Sequence, residues 1–180
     1  MNGTFSFVAA TIGVGLTLTG CQELVTDSLG NTLVTDEYEA TAITIYTWRA
    51  EYRPQNVTQD RPNEGRFETF ESSYRVNING QPAVQGFGDA DEQGLWWPAL
   101  PPKPTVDDLE ARQKKREIFE APQIDKSVNY TLSFEQAGEM VTLRTEYGVY
   151  REAVRAHDDE RSLKLTLGRQ EAYVRKAEMQ

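Results

Sequence analysis

Residues 40–52 read ATAITIYTWRAEY, which is the clearest β pattern in the chain. The stretch is rich in β-branched and aromatic residues, which suit a pleated, half-buried surface. Because side chains alternate across a strand, the even-numbered residues from Ala42 to Trp48 would share one face. Within residues 40–52, no charged residue occurs before Arg49. The stretch therefore predicts a strand that is covered on both faces at its start and solvated at its end.

The same alternation recurs downstream of this stretch. Residues 66–78 and 126–147 alternate apolar and polar side chains, and a strict alternation of leucines begins at Leu163. Residues 172–176 follow as a last strand. Residues 149–156 allow either a strand or a helix, and we interpret them as a strand.

Turn signals separate these segments. Asn79-Gly80 predicts a two-residue hairpin, because both residues tolerate a positive φ. Pro82 follows, and since proline cannot donate to a ladder, the returning strand should lie at a sheet edge.

One short helix is predicted near residues 105–116. Thr105 and Asp108 have the spacing of a capping box, in which each caps the backbone of the other. The acidic Asp107 and Asp108 lie in the first turn of this helix and the basic residues 114–116 lie in its last turn, an arrangement that the helix dipole favours. The fold class is therefore mainly β: a single antiparallel sandwich or partly open barrel of about eight strands with one short helix.

Residues 88–104 contain two adjacent tryptophans followed by four prolines. The prolines enforce an extended path. On an extended chain Trp96 and Trp97 cannot both point inward. We therefore predict that Trp96 and Trp97 form a partner-binding surface for protein or carbohydrate. The alternative is that both rings cap the open end of the β core.

Two acidic segments contain residue types that bind metals or act in catalysis. Asp89, Asp91 and Gly94 have the spacing that starts an EF-hand loop, but Leu100 stands where the bidentate glutamate is required. A solvated acidic turn explains this segment better. His157 is the only histidine and precedes three carboxylates, a pattern that a charged loop also explains.

No catalytic residue, cofactor or metal is predicted. One histidine, with no cysteine beyond Cys21, nearly excludes the common hydrolase triads. A pair of carboxylates could still serve a glycosidase, although no pair stands out. The net charge of −9 argues against a nucleic-acid partner. It argues equally against flat docking on anionic lipid.

The N-terminal segment ends at the only cysteine. Residues 5–18 are apolar or small and uncharged, a length that fits the core of a secretory signal and is too short for a spanning helix. They lead into Leu18-Thr19-Gly20-Cys21. An alternative is an N-terminal strand or helix of a cytosolic protein in which Cys21 is a buried thiol.

This arrangement resembles the signal peptide and lipobox of bacterial lipoproteins. The resemblance implies that Cys21 carries a diacylglyceryl group and becomes the new N-terminus. The residues from Trp96 to Arg112 also resemble a segment of uncharacterised cyanobacterial lipoproteins, a resemblance that covers a minority of the chain and implies no activity.

Three parts are expected on this basis: a signal peptide at 1–20, a lipidated tether at 21–37 that could include a short ordered piece at residues 32–34, and a β-rich domain at 38–180. The protein would be anchored through the lipid on Cys21 and face the periplasm, the thylakoid lumen or the cell exterior. Its expected function is to bind or scaffold an envelope protein without catalysis. The alternatives are a glycan-acting enzyme and a small-ligand carrier, which would need a closed barrel with an apolar lumen.

Overall fold

The computed structural model describes residues 25–27, 30–55, 65–84 and 88–180. These residues form ten strands, two α-helices and one 3-10 turn at Arg169–Glu171. The strands are β1 (Val25–Asp27), β2 (Gly30–Thr35), β3 (Tyr38–Pro54), β4 (Arg66–Ile78), β5 (Gln81–Pro82), β6 (Glu117–Phe119), β7 (Gln123–Gln136), β8 (Glu139–Thr145), β9 (Leu163–Leu167) and β10 (Val174–Met179). The helices are α1 (Val106–Arg112) and α2 (Tyr147–Asp158).

The strands form two antiparallel sheets. The long sheet has the order β5-β4-β3-β7-β8, with β6 paired to the end of β3, and the small sheet has the order β1-β2-β9-β10. The sheets adjoin where Arg144 of β8 bridges Tyr173 next to β10 and the Thr145 hydroxyl donates to the Val174 carbonyl at 3.0 Å. The predicted mainly β fold is confirmed, and the arrangement fits an antiparallel sandwich or an open barrel.

The local predictions for the hairpin, the edge and the first helix are also confirmed. Asn79 and Gly80 have φ values of 47° and 77° and connect β4 to β5, which lies at the edge of the long sheet. Thr105 caps α1 in a capping box with Asp108, but the helix ends at Arg112, so the basic residues 114–116 that were expected in its last turn lie beyond it. Within the described ranges, no helix has the length and apolar character needed to cross a membrane.

Helix α2 occupies the centre of the core between the two sheets. Leu163, Leu165 and Leu167 are fully buried on the small sheet, and Ala40 and Ala42 are fully buried on the long sheet. Alanines at these positions let the helix approach β3 closely. Both sheets therefore bury part of their inner faces against one helix.

The interpretation of residues 149–156 as a strand is wrong, because they form most of α2. The helix buries Val149, Tyr150, Ala153, Val154 and Ala156. This is the stripe of a helix with one buried face. The β-forming preference of valine and tyrosine is overridden by burial between two sheets.

The ordered piece allowed at residues 32–34 is present as part of β2, so the predicted domain boundary at residue 38 lies too late. Strand β2 pairs with β9 along residues 32–35, and Leu33 is buried in the main core. The folded domain therefore starts before Tyr38. Residues 1–24, which include the predicted signal peptide, the lipobox and Cys21, lie outside the described residues.

The inner face of β3 is covered along its whole length by three different segments. Ala40 and Ala42 lie under α2, and the middle of the strand lies under residues 95–101. At the far end Tyr52 is fully buried, and its hydroxyl donates to the Leu109 carbonyl of α1 at 2.9 Å. The expectation of a solvated end of β3 is therefore wrong for this inner face, although Arg53 on the opposite face is exposed.

The opposite face of β3 and β4 is not covered by another element of the described chain. None of its side chains is buried. The expectation that both faces are covered at the start of β3 is therefore also wrong.

Candidate functional site

The predicted tryptophan segment lies across the inner face of the long sheet. We call residues 88–104 the strap. Its start is fixed by Asp91, whose Oδ1 accepts hydrogen bonds from the amides of Gln93 and Leu95, both at 2.9 Å. Gly94 has a φ of 77°, which glycine adopts without strain and which lets this turn close. Leu95 is then fully buried in the main core.

Asp91 also holds the second tryptophan. The Trp97 indole N–H donates to Asp91 Oδ2 at 2.7 Å. Burial alone would raise the pKa of Asp91, but this bond, the two amide bonds and the nearby Lys126 ammonium lower the pKa below its ordinary value. Both carboxylate oxygens thus bind protein donors, and the described side chains contain no group of three or more metal-ligand candidates.

The centre of the strap is bound by the amide side chain of Asn77. Asn77 accepts from the Trp96 amide at 2.8 Å and donates to the Trp96 carbonyl at 3.1 Å and to the Ala42 carbonyl at 3.2 Å. The Thr44 hydroxyl donates to the same Trp96 carbonyl at 2.7 Å. Asn77 and Thr44 are fully buried. The asparagine therefore pairs with the strap backbone as a neighbouring peptide group would.

The proline half of the strap is bound through its carbonyls. The Trp48 indole N–H donates to the Pro101 carbonyl at 2.9 Å, and the Ser73 hydroxyl donates to the Ala99 carbonyl at 2.6 Å. Prolines have no N–H, so carbonyls are the only backbone groups they offer to the sheet. Donors on β3 and β4 thus hold the strap from Trp96 to Pro101.

A cluster of aromatic and charged side chains surrounds Trp97. Its ring packs on Tyr46 with the centroids 4.9 Å apart. The Lys126 ammonium lies 5.4 Å from the Tyr46 ring and 5.2 Å from the Trp97 ring, within the range of cation–π attraction. Tyr46 and Lys126 are cross-strand partners on β3 and β7, which places them side by side. We call Tyr46, Asp91, Trp97 and Lys126 the Trp97 cluster.

A group of tyrosines joins the start of the strap to α2. Tyr130 packs against Tyr147 and Tyr150, with centroids 5.8 and 5.2 Å apart. The Tyr147 hydroxyl donates to the Gln93 carbonyl at 3.3 Å. Burial, followed by the neighbouring tyrosines and Asp91, raises the pKa of Tyr130 to about 12. The strap is therefore packed against the core at its start as well as along β3.

Both predicted site residues lie together on this strap. Trp96 and Trp97 are partly exposed, and they lie on a sheet face rather than at an open end of the core. Trp97 already uses its N–H and one ring face within the domain. The partner-binding role of Trp96 and Trp97 stays a prediction.

His157 lies far from the strap, at the exposed end of α2. It borders a surface cavity of about 380 Å³ lined by Asp36, Tyr38, His157, Glu160, Arg161 and Ser162. Tyr38 donates to the Arg161 carbonyl at 2.7 Å there. The described part of this cavity brings no metal-binding group of three or more side chains together.

The glycan-acting alternative needs one carboxyl group with a raised pKa that can act as an acid. The described carboxyl groups with a resolved change have lowered pKa values: Glu51, Asp91, Asp108, Glu117 and Glu178. The largest of these changes is at Glu117, where hydrogen bonds from Arg66 lower the pKa to about 2. This observation does not favour the enzyme, which stays a prediction.

A second candidate surface lies on the other side of the long sheet. No pattern in the sequence pointed to it. Cross-strand pairs place Ile43 beside Val76 and Ile45 beside Tyr74, with Ile78 next in line. We call Ile43, Ile45, Tyr74, Val76 and Ile78 the open face. Tyr74 is 71% exposed and the other four are half-buried.

Polar side chains border the open face. The hydroxyls of Thr47 and Ser72 hydrogen-bond each other at 2.8 Å, and Arg49 pairs with Asp125 at 3.1 Å beyond them. The centre of the face carries no charge. An uncharged apolar centre with a polar border is the usual composition of a protein-binding surface.

Comparison with protein-family models, curated proteins and solved structures finds no match for this chain. The function therefore has to be argued from the chemistry of its surfaces, because a fold class alone does not specify an activity.

Replacing Trp97 with alanine is expected to lower the free energy of unfolding by about 2 kcal/mol, less than for a fully buried aromatic residue. The loss comes from the contact with Tyr46 and the bond to Asp91. Trp97→Phe, which keeps a ring but removes the N–H, should lose about 1 kcal/mol. Urea denaturation measures both. An unchanged midpoint for Trp97→Ala would mean that the ring contributes nothing to the fold.

Proposed function

We propose that this chain is a lipid-anchored lipoprotein whose β domain binds a protein partner at the cell envelope without catalysing a reaction. The anchor is supported by the uncharged apolar residues 5–18 and the lipobox pattern that ends at Cys21. A diacylglyceryl group supplies the two chains that stable anchoring needs. The domain would face the periplasm, the thylakoid lumen or the cell exterior.

The observation that carries partner binding is the open face. It places apolar side chains from two neighbouring strands side by side without a covering element in the described chain. Contiguous exposed apolar patches of this kind mark interaction sites in monomeric domains. Tyr74 is its most exposed member, and tyrosine is a residue type enriched among the side chains that dominate interface energies.

The partner expected on this surface is a protein with a flat, apolar contact area. The uncharged centre of the open face would not recognise a phosphate or a carboxylate, because neither a cation nor a cluster of N–H donors lies within it. The strap, on the other side of the sheet, is proposed as a weaker second contact through the exposed parts of Trp96 and Trp97.

The test is crosslinking and pull-down from native membranes, with partners identified by mass spectrometry. Tyr74→Lys is expected to reduce recovery of the specific partner by about tenfold or more, since a desolvated interface anchor contributes about 2 kcal/mol. The melting temperature should not change, because Tyr74 is 71% exposed.

Leu100→Lys is the matched control for this experiment. Leu100 is 62% exposed on the strap, so the same change of chemistry is made on the opposite side of the sheet. Recovery from Leu100→Lys should fall far less than recovery from Tyr74→Lys, because the strap is proposed only as the weaker second contact. If Leu100→Lys loses the partner and Tyr74→Lys keeps it, the strap is the binding surface and the open face is not.

A further inference from the structure

The position of the first strand limits how far the domain can lie from an anchored Cys21. Strand β1 begins at Val25, four residues after Cys21. An extended chain spans at most about 3.5 Å per residue, so the Cα atoms of Cys21 and Val25 are within about 14 Å of each other. Strand β1 is the edge strand of the small sheet. A lipid on Cys21 would therefore hold this sheet close to the bilayer.

The outer face of the small sheet is defined by its register. Thr32, Thr166 and Lys176 are cross-strand neighbours, as are Val34, Lys164 and Glu178. These six residues form the outer face, because the alternate residues Leu33, Leu165 and Ala177 are buried against the core. The lysines are exposed, and Val34 is 45% exposed.

The charge on this face has the opposite sign to that of the whole chain. Lys164 and Lys176 face one carboxylate, Glu178, which pairs with Lys176 at 2.7 Å. Arg175 is exposed in the bulge next to them. The chain as a whole carries −9. A domain that is acidic overall thus presents cations on the sheet to which the proposed anchor is connected.

The geometry points to the outer face of the small sheet as the surface that lies against an anionic bilayer when Cys21 is lipidated. This inference rests on the proposed lipid anchor. Cations near an anionic membrane surface each strengthen association by roughly fivefold. Hydroxyl groups from Thr32 and Thr166 and the apolar Val34 complete a surface that suits lipid headgroups.

The same orientation keeps the acidic end of α2 away from the lipid. Helix α2 packs on the inner face of the small sheet, and its C-terminal end leads into Asp158, Asp159 and Glu160. Contact through the outer face places the sheet between this helix and the membrane. The overall negative charge, which argued against flat docking on anionic lipid, is therefore compatible with docking through this one face.

The experiment is amine labelling of the lipidated protein reconstituted into vesicles of phosphatidylcholine, with or without about 30% phosphatidylglycerol, a content chosen to give a negative surface potential. Mass spectrometry gives the labelling rate of each lysine. On anionic vesicles Lys164 and Lys176 should be labelled about fivefold more slowly than Lys114 and Lys115, which are exposed beyond α1. On neutral vesicles, or at high salt, the difference should disappear.

Matched charge removals complete the test. In Lys164→Gln the protection of Lys176 on anionic vesicles should fall by about fivefold, the effect of one cation. In the control, Lys114→Gln with Lys115→Gln, the protection of Lys176 should persist.

Flotation of the protein with the vesicles distinguishes the claim of a lipid anchor from the claim that the small sheet faces the bilayer. Equal labelling of all four lysines on protein that floats with the vesicles would overturn the orientation and keep the anchor. Protein that does not float at all would overturn the anchor, and the orientation with it.

Discussion

Cys21→Ala is expected to transfer nearly all of the protein from the membrane fraction to the soluble fraction. Without the thiol there is no site for the diacylglyceryl group, and among the described residues no helix is long and apolar enough to cross a membrane. The fractions should be washed in about 0.5 M salt, which screens attraction between the outer-face lysines and anionic lipid. Immunoblotting of both fractions measures the distribution.

The control for this variant is Thr19→Ala. It keeps a small residue before Gly20 and leaves the cysteine in place, so the protein should remain in the membrane fraction. Co-sedimentation of Cys21→Ala with washed membranes at the level of the unchanged protein would contradict the lipid anchor.

Asn77→Ala is expected to have the largest effect on stability, a loss of about 3 kcal/mol in the free energy of unfolding. The change removes three hydrogen bonds, two to the Trp96 backbone and one to the Ala42 carbonyl. The Trp96 amide donates to Asn77 Oδ1, so the change would remove its acceptor in the described part of the chain. Because Asn77 is fully buried and the Trp96 backbone lies against it, water cannot fully replace the lost partners.

Asn129→Ala is the matched control for Asn77→Ala. Asn129 lies on β7 of the same sheet but is exposed, so its replacement should change the unfolding free energy by less than about 0.5 kcal/mol. Urea denaturation followed by circular dichroism compares the two variants. Tryptophan emission should also shift to longer wavelength in Asn77→Ala as the strap loosens. Equal stability of the two variants would show that Asn77 does not hold the strap.

The features predicted correctly from the sequence depend on neighbouring residues. The alternation in β3, the hairpin at Asn79-Gly80, the edge position of Pro82 and the capping box at Thr105 each involve residues a few positions apart. Helix α2 was missed because Val149 and Tyr150 suit a strand equally well. Its buried stripe becomes distinctive only once the leucines of β9 are known to face it.

The candidate surfaces also depend on residues that are distant in the sequence. The tryptophans were singled out from composition, but the groups that hold them are distant in sequence: Asn77 lies 19 residues before Trp96, and Thr44 lies 52 residues before it. The alternation correctly placed Ile43 and Ile45 on one face of β3. Which face would be covered depends on where α2, the strap and α1 pack, and no local pattern specifies that.

Intact-mass and N-terminal analysis of the protein extracted from native membranes tests the central claim most directly. The account predicts a chain that begins at Cys21 and carries a diacylglyceryl group on its thiol, with residues 1–20 absent. A chain that retains residues 1–20 and has an unmodified Cys21 thiol would contradict it.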